Sequence, residues 1–274
     1  MRGWWIGGSL LWVLACAGLE DLSGSIRREP VEVAPEAALP PPPGGQGAWL
    51  GLVAHETGED QQDWWSPVHA GAEILAFDES RAWAGVPEGA LFLALTASGE
   101  IEITFRGVEE IPYGCDGNTS TFATFDADTR PDEGVVWLAE RDNAGALVPN
   151  RITDDSQSTR RRTWEGPGHG LMTLERTSES EATFTFQRKG KELYSEHIER
   201  HLMEGAEDKP IDLTQDGEID MPYPELMVLA PAKKTAWLVT RRHGHEGLSW
   251  TVIELDHRHG EDKGSWMYAY FCAF

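Results

Sequence analysis

The stretch Ile101-Glu102-Ile103-Thr104-Phe105 alternates apolar and polar side chains at every position. Successive side chains of a β-strand point to opposite faces of a sheet, so this pattern predicts a strand with one buried face. Thr183-Phe184-Thr185-Phe186 shows the same alternation further along the chain. Turn sequences such as Ala97-Ser98-Gly99-Glu100 separate neighbouring runs, as they do in β-hairpins. The folded part of the chain is therefore predicted to consist of antiparallel strands.

Ten runs share this character, being apolar, rich in β-branched or aromatic residues and bounded by turn-forming residues. They are Trp49–Ala54, Leu91–Thr96, Ile101–Phe105, Val135–Ala139, Leu171–Arg176, Thr183–Gln187, Leu226–Leu229, Ala236–Thr240, Trp250–Leu255 and Trp266–Phe271. Ten or more short strands predict a single all-β domain over residues 48–274, built as an antiparallel β-sandwich or barrel. Only Lys191–Met203 also fits a helix, and its part Lys191–His197 fits a strand equally well.

A small β-propeller is the alternative architecture. Short motifs centred on an aromatic residue begin at Ala48, Leu91 and Val136. Their spacing is close to the ~40–45 residues of a propeller blade. No other motif recurs in the same register, so we interpret the three motifs as similar strand sequences and not as a true repeat.

The first sixteen residues indicate export. Met1 and Arg2 precede an apolar stretch, Trp4–Ala15, which has the length of a signal-peptide core and is too short to span a bilayer. The stretch ends in Val13-Leu14-Ala15-Cys16, which resembles the bacterial lipobox. This resemblance implies that residues 1–15 are a lipoprotein signal peptide and that Cys16 is lipidated, with acyl chains such as palmitate. Ala15-Cys16-Ala17 also fits the cleavage site of ordinary signal peptidase, so a secreted or periplasmic protein without a lipid anchor is the alternative.

Residues 16–47 are predicted to be a Pro-rich tether. Six of the sixteen prolines lie between Pro30 and Pro43, a composition that favours extended polyproline II over folding. Ala17 stands where an Asp would resemble a signal for retention at the inner membrane. The resemblance therefore implies a location in the bacterial cell envelope, lipid-anchored at the outer membrane, with the membrane as a partner through the N-terminal lipid.

The charge balance restricts the partners. The chain has 46 Asp plus Glu against 23 Lys plus Arg, a formal net charge of −23. Such a charge repels phosphate backbones, so no nucleic-acid partner is expected. With 40% hydrophobic and 25% charged residues, the chain has the composition of a globular protein with a sizeable core.

The two cysteines besides Cys16 are Cys115 and Cys272. An even number of cysteines in an exported protein predicts a disulfide, here between Cys115 and Cys272. Two buried free thiols are the alternative.

The segment Asp212–Asp220 is the best candidate for a metal site. Oxygen-bearing residues alternate along it and a Gly follows the third, which resembles calcium loops of the Asp-x-Asp-x-Asp-Gly kind. The ligands implied by this resemblance are the side chains of Asp212, Thr214, Asp216 and Asp220 and the backbone carbonyl of Glu218. Tyr223 stands where an EF-hand has its bidentate Glu, and Pro222 and Pro224 oppose an exit helix. An acidic turn between two strands explains the same residues, and we favour it over calcium as cofactor.

Other candidate residues carry weaker signals. Trp64 and Trp65 lie in a polar loop, where at most one ring of the pair can be buried in a regular strand. The other ring is a candidate for stacking on a glycan or a protein partner. The histidine pairs around Gly244 and Arg258 are predicted at opposite ends of one hairpin, so we interpret them as solvated turn residues. The run Arg160–Arg162 is interpreted as a solvated loop in preference to an anion site.

These features favour a non-catalytic function. The sequence contains no Gly-x-Ser-x-Gly elbow and no Gly-x-x-x-x-Gly-Lys phosphate loop. We therefore expect an exported lipoprotein with a surface binding or envelope-structural β-domain. An extracellular or periplasmic hydrolase is the alternative.

Overall fold

A computed structural model describes residues 48–53, 74–77, 83, 85–112, 119–129, 131, 134–141, 147–201, 209–215, 217–244 and 247–270. All of them belong to one compact unit, Leu39–Phe274. The described strands pair antiparallel with their neighbours in three sheets. The predicted all-β, antiparallel character is therefore confirmed. The predicted leader, residues 1–15, and tether, residues 16–47, lie outside the described residues.

Six strands form a closed barrel. In order around the barrel they are β1 (Ala48–Val53), β2 (Ile74–Phe77), β5 (Thr119–Ala127), β4 (Gly99–Pro112), β3 (Leu91–Thr96) and β6 (Val135–Glu140). The alternating stretch 101–105 lies in β4, where Ile103 and Phe105 are buried. Their alternation with exposed or half-buried neighbours is the period of two that the sequence showed.

An aromatic cluster fills the barrel. The ring of Trp83 lies 5.2 Å from that of Phe125 and 5.8 Å from that of Phe105. On β6 the side chains alternate between two cores: Val136 and Leu138 join this interior cluster, whereas Trp137 faces outward. Both faces of this part of the barrel wall are therefore buried.

Two five-stranded sheets complete the structure. The central sheet has the strand order β16 (Gly260–Tyr270), β15 (Gly247–Leu255), β14 (Thr235–His243), β13 (Pro222–Ala230) and β7 (Val148–Arg151). The outer sheet has the order β12 (Lys191–Glu199), β11 (Glu181–Arg188), β10 (Gly170–Arg176), β9 (Arg161–Gly166) and β8 (Thr153–Gln157). A short 3-10 turn, Pro231–Lys233, joins β13 to β14.

The central sheet lies between the barrel and the outer sheet. Trp237 on β14 packs against Trp137 of the barrel, with ring centroids 5.3 Å apart. Leu238, the next residue, belongs to a second core shared with Phe184 and Met172 of the outer sheet. Because both faces are covered there, the stretch 236–239 of β14 is continuously apolar, which is typical of a strand buried on both sides.

The segment that fitted either a helix or a strand is a strand. β12 spans Lys191–Glu199 and pairs antiparallel with β11. Leu193 and Ile198 on β12 are buried in the core shared with the central sheet. The helical interpretation of Lys191–Met203 is therefore wrong over the strand, because burial against the central sheet outweighs the local preference. The described strands form a closed barrel and two five-stranded sheets, not the repeated blades of the propeller alternative.

No helix within the described ranges is long and apolar enough to cross a membrane.

Candidate functional site

Seven of the candidate site residues lie outside the described residues. They are Cys16, Trp64, Trp65, Cys115, Asp216, His245 and Cys272. Lipidation at Cys16, the Cys115–Cys272 disulfide and binding at Trp64 and Trp65 therefore stay predictions.

The acidic loop is closed by contacts within the protein. Glu218 accepts hydrogen bonds at both carboxylate oxygens: Oε1 from the backbone N–H of Asp212 at 2.7 Å, and Oε2 from the buried guanidinium of Arg200 at 3.3 Å. Asp212 accepts from the hydroxyl and, second, from the backbone N–H of Thr214, and these bonds hold the pKa of Asp212 below its ordinary value. The described part of the loop thus has the hydrogen bonds of an Asx turn.

Asp220 anchors the end of the same loop. Its Oδ2 accepts from the backbone N–H of His201 at 3.0 Å, and its own backbone N–H donates to the carbonyl of His243 at 2.8 Å. Gly217 has a φ of +100° and lies against the His243 ring, where a side chain would meet the imidazole. The loop is therefore fastened to the end of β14.

The calcium interpretation stays a prediction. No group of three or more His, Cys, Asp or Glu residues within the described ranges is placed to hold a metal ion. Asp216, the central ligand implied by the resemblance, is not among those residues. The carboxylates of Asp212 and Asp220, which the resemblance assigns to the ion, already accept hydrogen bonds from Thr214 and His201, so the contacts favour the acidic turn.

The last residue of the arginine run is buried on a strand, whereas Arg160 and Arg161 are exposed. Arg162 lies on β9 and is only 7% exposed, because the alternation of the strand turns it inward. Its guanidinium pairs with Asp154 on β8 at 2.6 Å and lies 5.2 Å from the ring of Trp164. The interpretation of Arg160–Arg162 as solvated is therefore wrong for Arg162. The charge of Arg162 is compensated by Asp154 on β8, a polar and exposed strand.

Three of the four paired histidines are described, and they lie at opposite ends of β15. His243 ends β14 before this strand, and His257 and His259 follow it in the turn to β16. His245 lies outside the described residues, so the interpretation of the two pairs stays a prediction. His257 instead lines a cavity that the sequence did not reveal.

That cavity lies between the central and outer sheets, at the end where three hairpin turns converge. The β11–β12 turn supplies Arg188, Lys189 and Lys191; the β13–β14 connection supplies Lys234; and the β15–β16 turn supplies His257. Its volume is about 640 Å³. We call it the hairpin-end cavity. Volumes of ~300–1,000 Å³ are typical of sites for small ligands.

The charge of this cavity is opposite to that of the whole chain. Arg188, Lys189, Lys191 and Lys234 line it, and no carboxylate is among its described lining residues. Within the described ranges, no ion pair joins any of these four cations to an acid. Three of the six lysines of a chain with a net charge of −23 thus face one space. Uncompensated cations gathered in a cavity attract an anion.

Two of these lysines have a left-handed backbone. Lys189 has a φ of +52° and Lys234 a φ of +55°. Lys189 and Gly190 are the two central residues of a tight hairpin turn in which both have positive φ, because Arg188 pairs directly with Lys191. Asn, Asp or Gly is the usual choice at such positions. A lysine there is tolerated at a conformational cost.

Lys191 is held in place across the cavity. Its Nζ donates to the carbonyl of Arg258 in the β15–β16 turn at 3.1 Å, which leaves two of the three ammonium protons for another acceptor. That turn is ordered by Asp256, whose Oδ1 accepts the backbone N–H of His259 at 2.8 Å and also that of Arg258. These two hydrogen bonds lower the pKa of Asp256 below its ordinary value. Lys191 therefore links the outer sheet to the central sheet, and the hydrogen bond to Arg258 fixes the direction of its side chain.

The remaining wall of the cavity is apolar. It consists of Leu193, Leu229, Ala230, Pro231 and Ala236, with Thr235 beside them. Leu193, Ala230 and Ala236 are buried, whereas Leu229 is half-buried and Pro231 is exposed. The cavity therefore presents a cationic rim and an apolar wall to the same space.

A weak signal for this site exists in the sequence. Lys189, Lys191, Lys233 and Lys234 are four of the six lysines and fall in two short turns. Both turns read as ordinary hairpin connections, and about forty residues separate them. Only the stacking of the outer sheet on the central sheet brings the two turns together.

Comparison with protein-family models, with curated proteins and with solved structures found no match to this chain.

Proposed function

We propose that this protein is a non-catalytic binding protein whose ligand is a small anion held in the hairpin-end cavity. The observation that carries the proposal is the set Arg188, Lys189, Lys191 and Lys234, which lines one space without a carboxylate among the described lining residues. Charge-assisted hydrogen bonds from ammonium and guanidinium groups are strong and suit phosphate or carboxylate groups. An acidic protein repels anions at long range, so it needs a local group of cations to bind one. At physiological salt, screening reduces this repulsion at separations beyond ~8 Å.

The setting we propose for this activity is the bacterial cell envelope. The Val13-Leu14-Ala15-Cys16 sequence supports export and lipidation at Cys16 at the outer membrane, and residues 16–47 would act as a tether. The folded domain would then bind its ligand at the surface on which the anchor displays it. Mass spectrometry of the mature N-terminus tests the anchor: a diacylated or triacylated Cys16 is expected, and an unmodified N-terminus at another residue would contradict it.

The lining residues favour binding over hydrolysis. A hydrolytic site needs a nucleophile or an activated water beside a general base. The cavity offers His257 and Thr235 among its described lining residues and no carboxylate to orient the imidazole. An extracellular or periplasmic hydrolase stays the alternative, and turnover of phosphate or carboxylate esters by the purified chain would favour it.

Calorimetric titration of the full chain with inorganic pyrophosphate at low ionic strength tests the binding proposal. Lys191→Gln should weaken binding by roughly tenfold or more, because it removes one charge-assisted hydrogen bond. Lys209→Gln is the matched control, since it removes the same charge from an exposed lysine that does not line the cavity. Equal affinities in the two variants, or no binding to the unmodified chain, would refute the proposal.

A further inference from the structure

We infer that the ligand of the hairpin-end cavity is an amphipathic anion, a phosphate or carboxylate group carrying a short apolar tail. This inference rests on the proposed function and adds the chemical class of the ligand. It follows from the division of the cavity into two parts, a cationic rim and an apolar wall.

The rim determines the head of the ligand. Lys191 has its ammonium fixed by the Arg258 carbonyl, and Lys189 and Lys234 reach the cavity from turns in two different sheets. Donors that converge from several elements suit a group with several acceptor oxygens. A single neutral hydroxyl or amide ligand would leave most of these cations without a partner.

The apolar wall determines the rest of the ligand. Leu229 and Pro231 are incompletely buried although both line the cavity, so part of their apolar surface faces it. Covering that surface with an alkyl or aryl group removes it from water, which is favourable in proportion to the area covered. A hydrophilic anion such as free phosphate would leave the wall wet.

The volume limits the size of the ligand. About 640 Å³ is enough for a headgroup with a tail of a few carbons and not for a polymer. A free alkyl phosphate or fatty carboxylate and the exposed part of an anionic lipid share this chemistry. The experiment has to separate these two sources.

The test compares ethyl, butyl and octyl phosphate by calorimetric titration of the full chain. Affinity should rise by roughly threefold to fourfold per methylene until the wall is covered. Leu229→Thr should reduce this gain while leaving the affinity for ethyl phosphate within about twofold of wild type, because the rim is intact. Thr is compatible with a strand, and Pro231→Ser at an exposed position provides a second variant should Leu229→Thr fold poorly.

Each outcome has one meaning. A chain-length gain lost in the wall variants supports the inference. Equal affinity for all three phosphates, or binding of pyrophosphate but of no alkyl phosphate, overturns the inference and leaves the proposed function standing. Binding of neither the alkyl phosphates nor pyrophosphate overturns both. Vesicles of phosphatidylcholine with phosphatidic acid separate the sources: octyl phosphate should compete with vesicle binding if the ligand is a membrane lipid, and vesicles should not bind if it is a free solute. Vesicle binding that persists unchanged in Lys191→Gln and Leu229→Thr would overturn the assignment to this cavity.

Discussion

Lys189 and Lys234 lie in turns of two different sheets, and both line the same cavity with left-handed backbones, at φ of +52° and +55°. A residue with a Cβ is disfavoured in this conformation by ~1 kcal/mol relative to Gly. Strained residues persist where they have a function that the surrounding structure supports. Each lysine therefore lowers the stability of its turn and supplies a positive charge to the cavity.

Replacing these lysines by Asn is expected to stabilise the fold and to weaken ligand binding. Asn tolerates the left-handed region, and Lys189→Asn places Asn-Gly in the turn type that prefers it. We expect Lys189→Asn and Lys234→Asn each to raise the free energy of unfolding by about 0.5 kcal/mol, hence Tm by about 1–2 °C. Pyrophosphate affinity should fall in the same variants.

Calorimetric unfolding and titration of the same samples provide both quantities. Lys233→Asn is the control because Lys233 lies in the 3-10 turn and does not line the cavity. A fall in Tm together with a fall in affinity would show that the lysines act through folding, and would contradict this interpretation.

The interface between the barrel and the central sheet should dominate stability. Trp137 is fully buried and packs 5.3 Å from Trp237 across that interface. Trp137→Ala should lower the free energy of unfolding by about 3–5 kcal/mol, because it leaves a large cavity between two layers. Urea unfolding measures this, and Val148→Ala at a 46% exposed position should change it by less than about 0.5 kcal/mol. A cost below about 1 kcal/mol for Trp137→Ala would contradict the layered packing.

Tyr194 should make the fold sensitive to alkali. Burial, followed by the nearby carboxylates of Glu196 and Asp262, raises its pKa well above the ordinary value of 10.0. The unfolded chain therefore loses this proton first, so stability is fully present below about pH 10 and falls as pH rises towards the folded pKa.

Tyr194→Phe should reduce the slope of stability against pH above about pH 10. Chemical unfolding at a series of alkaline pH values measures this slope for wild type and variant. Tyr223→Phe is the comparison, since Tyr223 donates its hydroxyl proton to the Gln215 carbonyl at a different site. Identical slopes for wild type and Tyr194→Phe would contradict the assignment.

The acidic loop gives a prediction about calcium. Because the carboxylates of Asp212 and Asp220 already accept hydrogen bonds from Thr214 and His201, we expect the Tm of the full chain to be the same in calcium and in chelator. A bound ion at ~100-fold excess over Kd would instead add about 2.7 kcal/mol, a shift of several degrees. Such a shift, lost in Asp216→Ala, would establish the calcium site that the sequence pattern resembles.

The sequence predicted the strands better than their assembly. Alternation along 101–105 and 183–186 is a local property, and both stretches are strands with one apolar face buried. Arg162 was misjudged because its compensation depends on Asp154 in a neighbouring strand. The hairpin-end cavity needs turns at 188–191, 231–235 and 257, whose proximity depends on how two sheets stack. Long-range contacts of this kind leave no periodic trace in one sequence.

The most direct test of the anion site compares two adjacent lysines. Lys234 lines the hairpin-end cavity and Lys233 does not, so Lys234→Gln and Lys233→Gln make the same change in net charge one residue apart. We predict that pyrophosphate binds the full chain roughly tenfold more weakly in Lys234→Gln and within about twofold of wild type in Lys233→Gln. Equal losses of affinity in both variants would mean that pyrophosphate binding depends only on the net charge of the turn, and would contradict a site in the cavity.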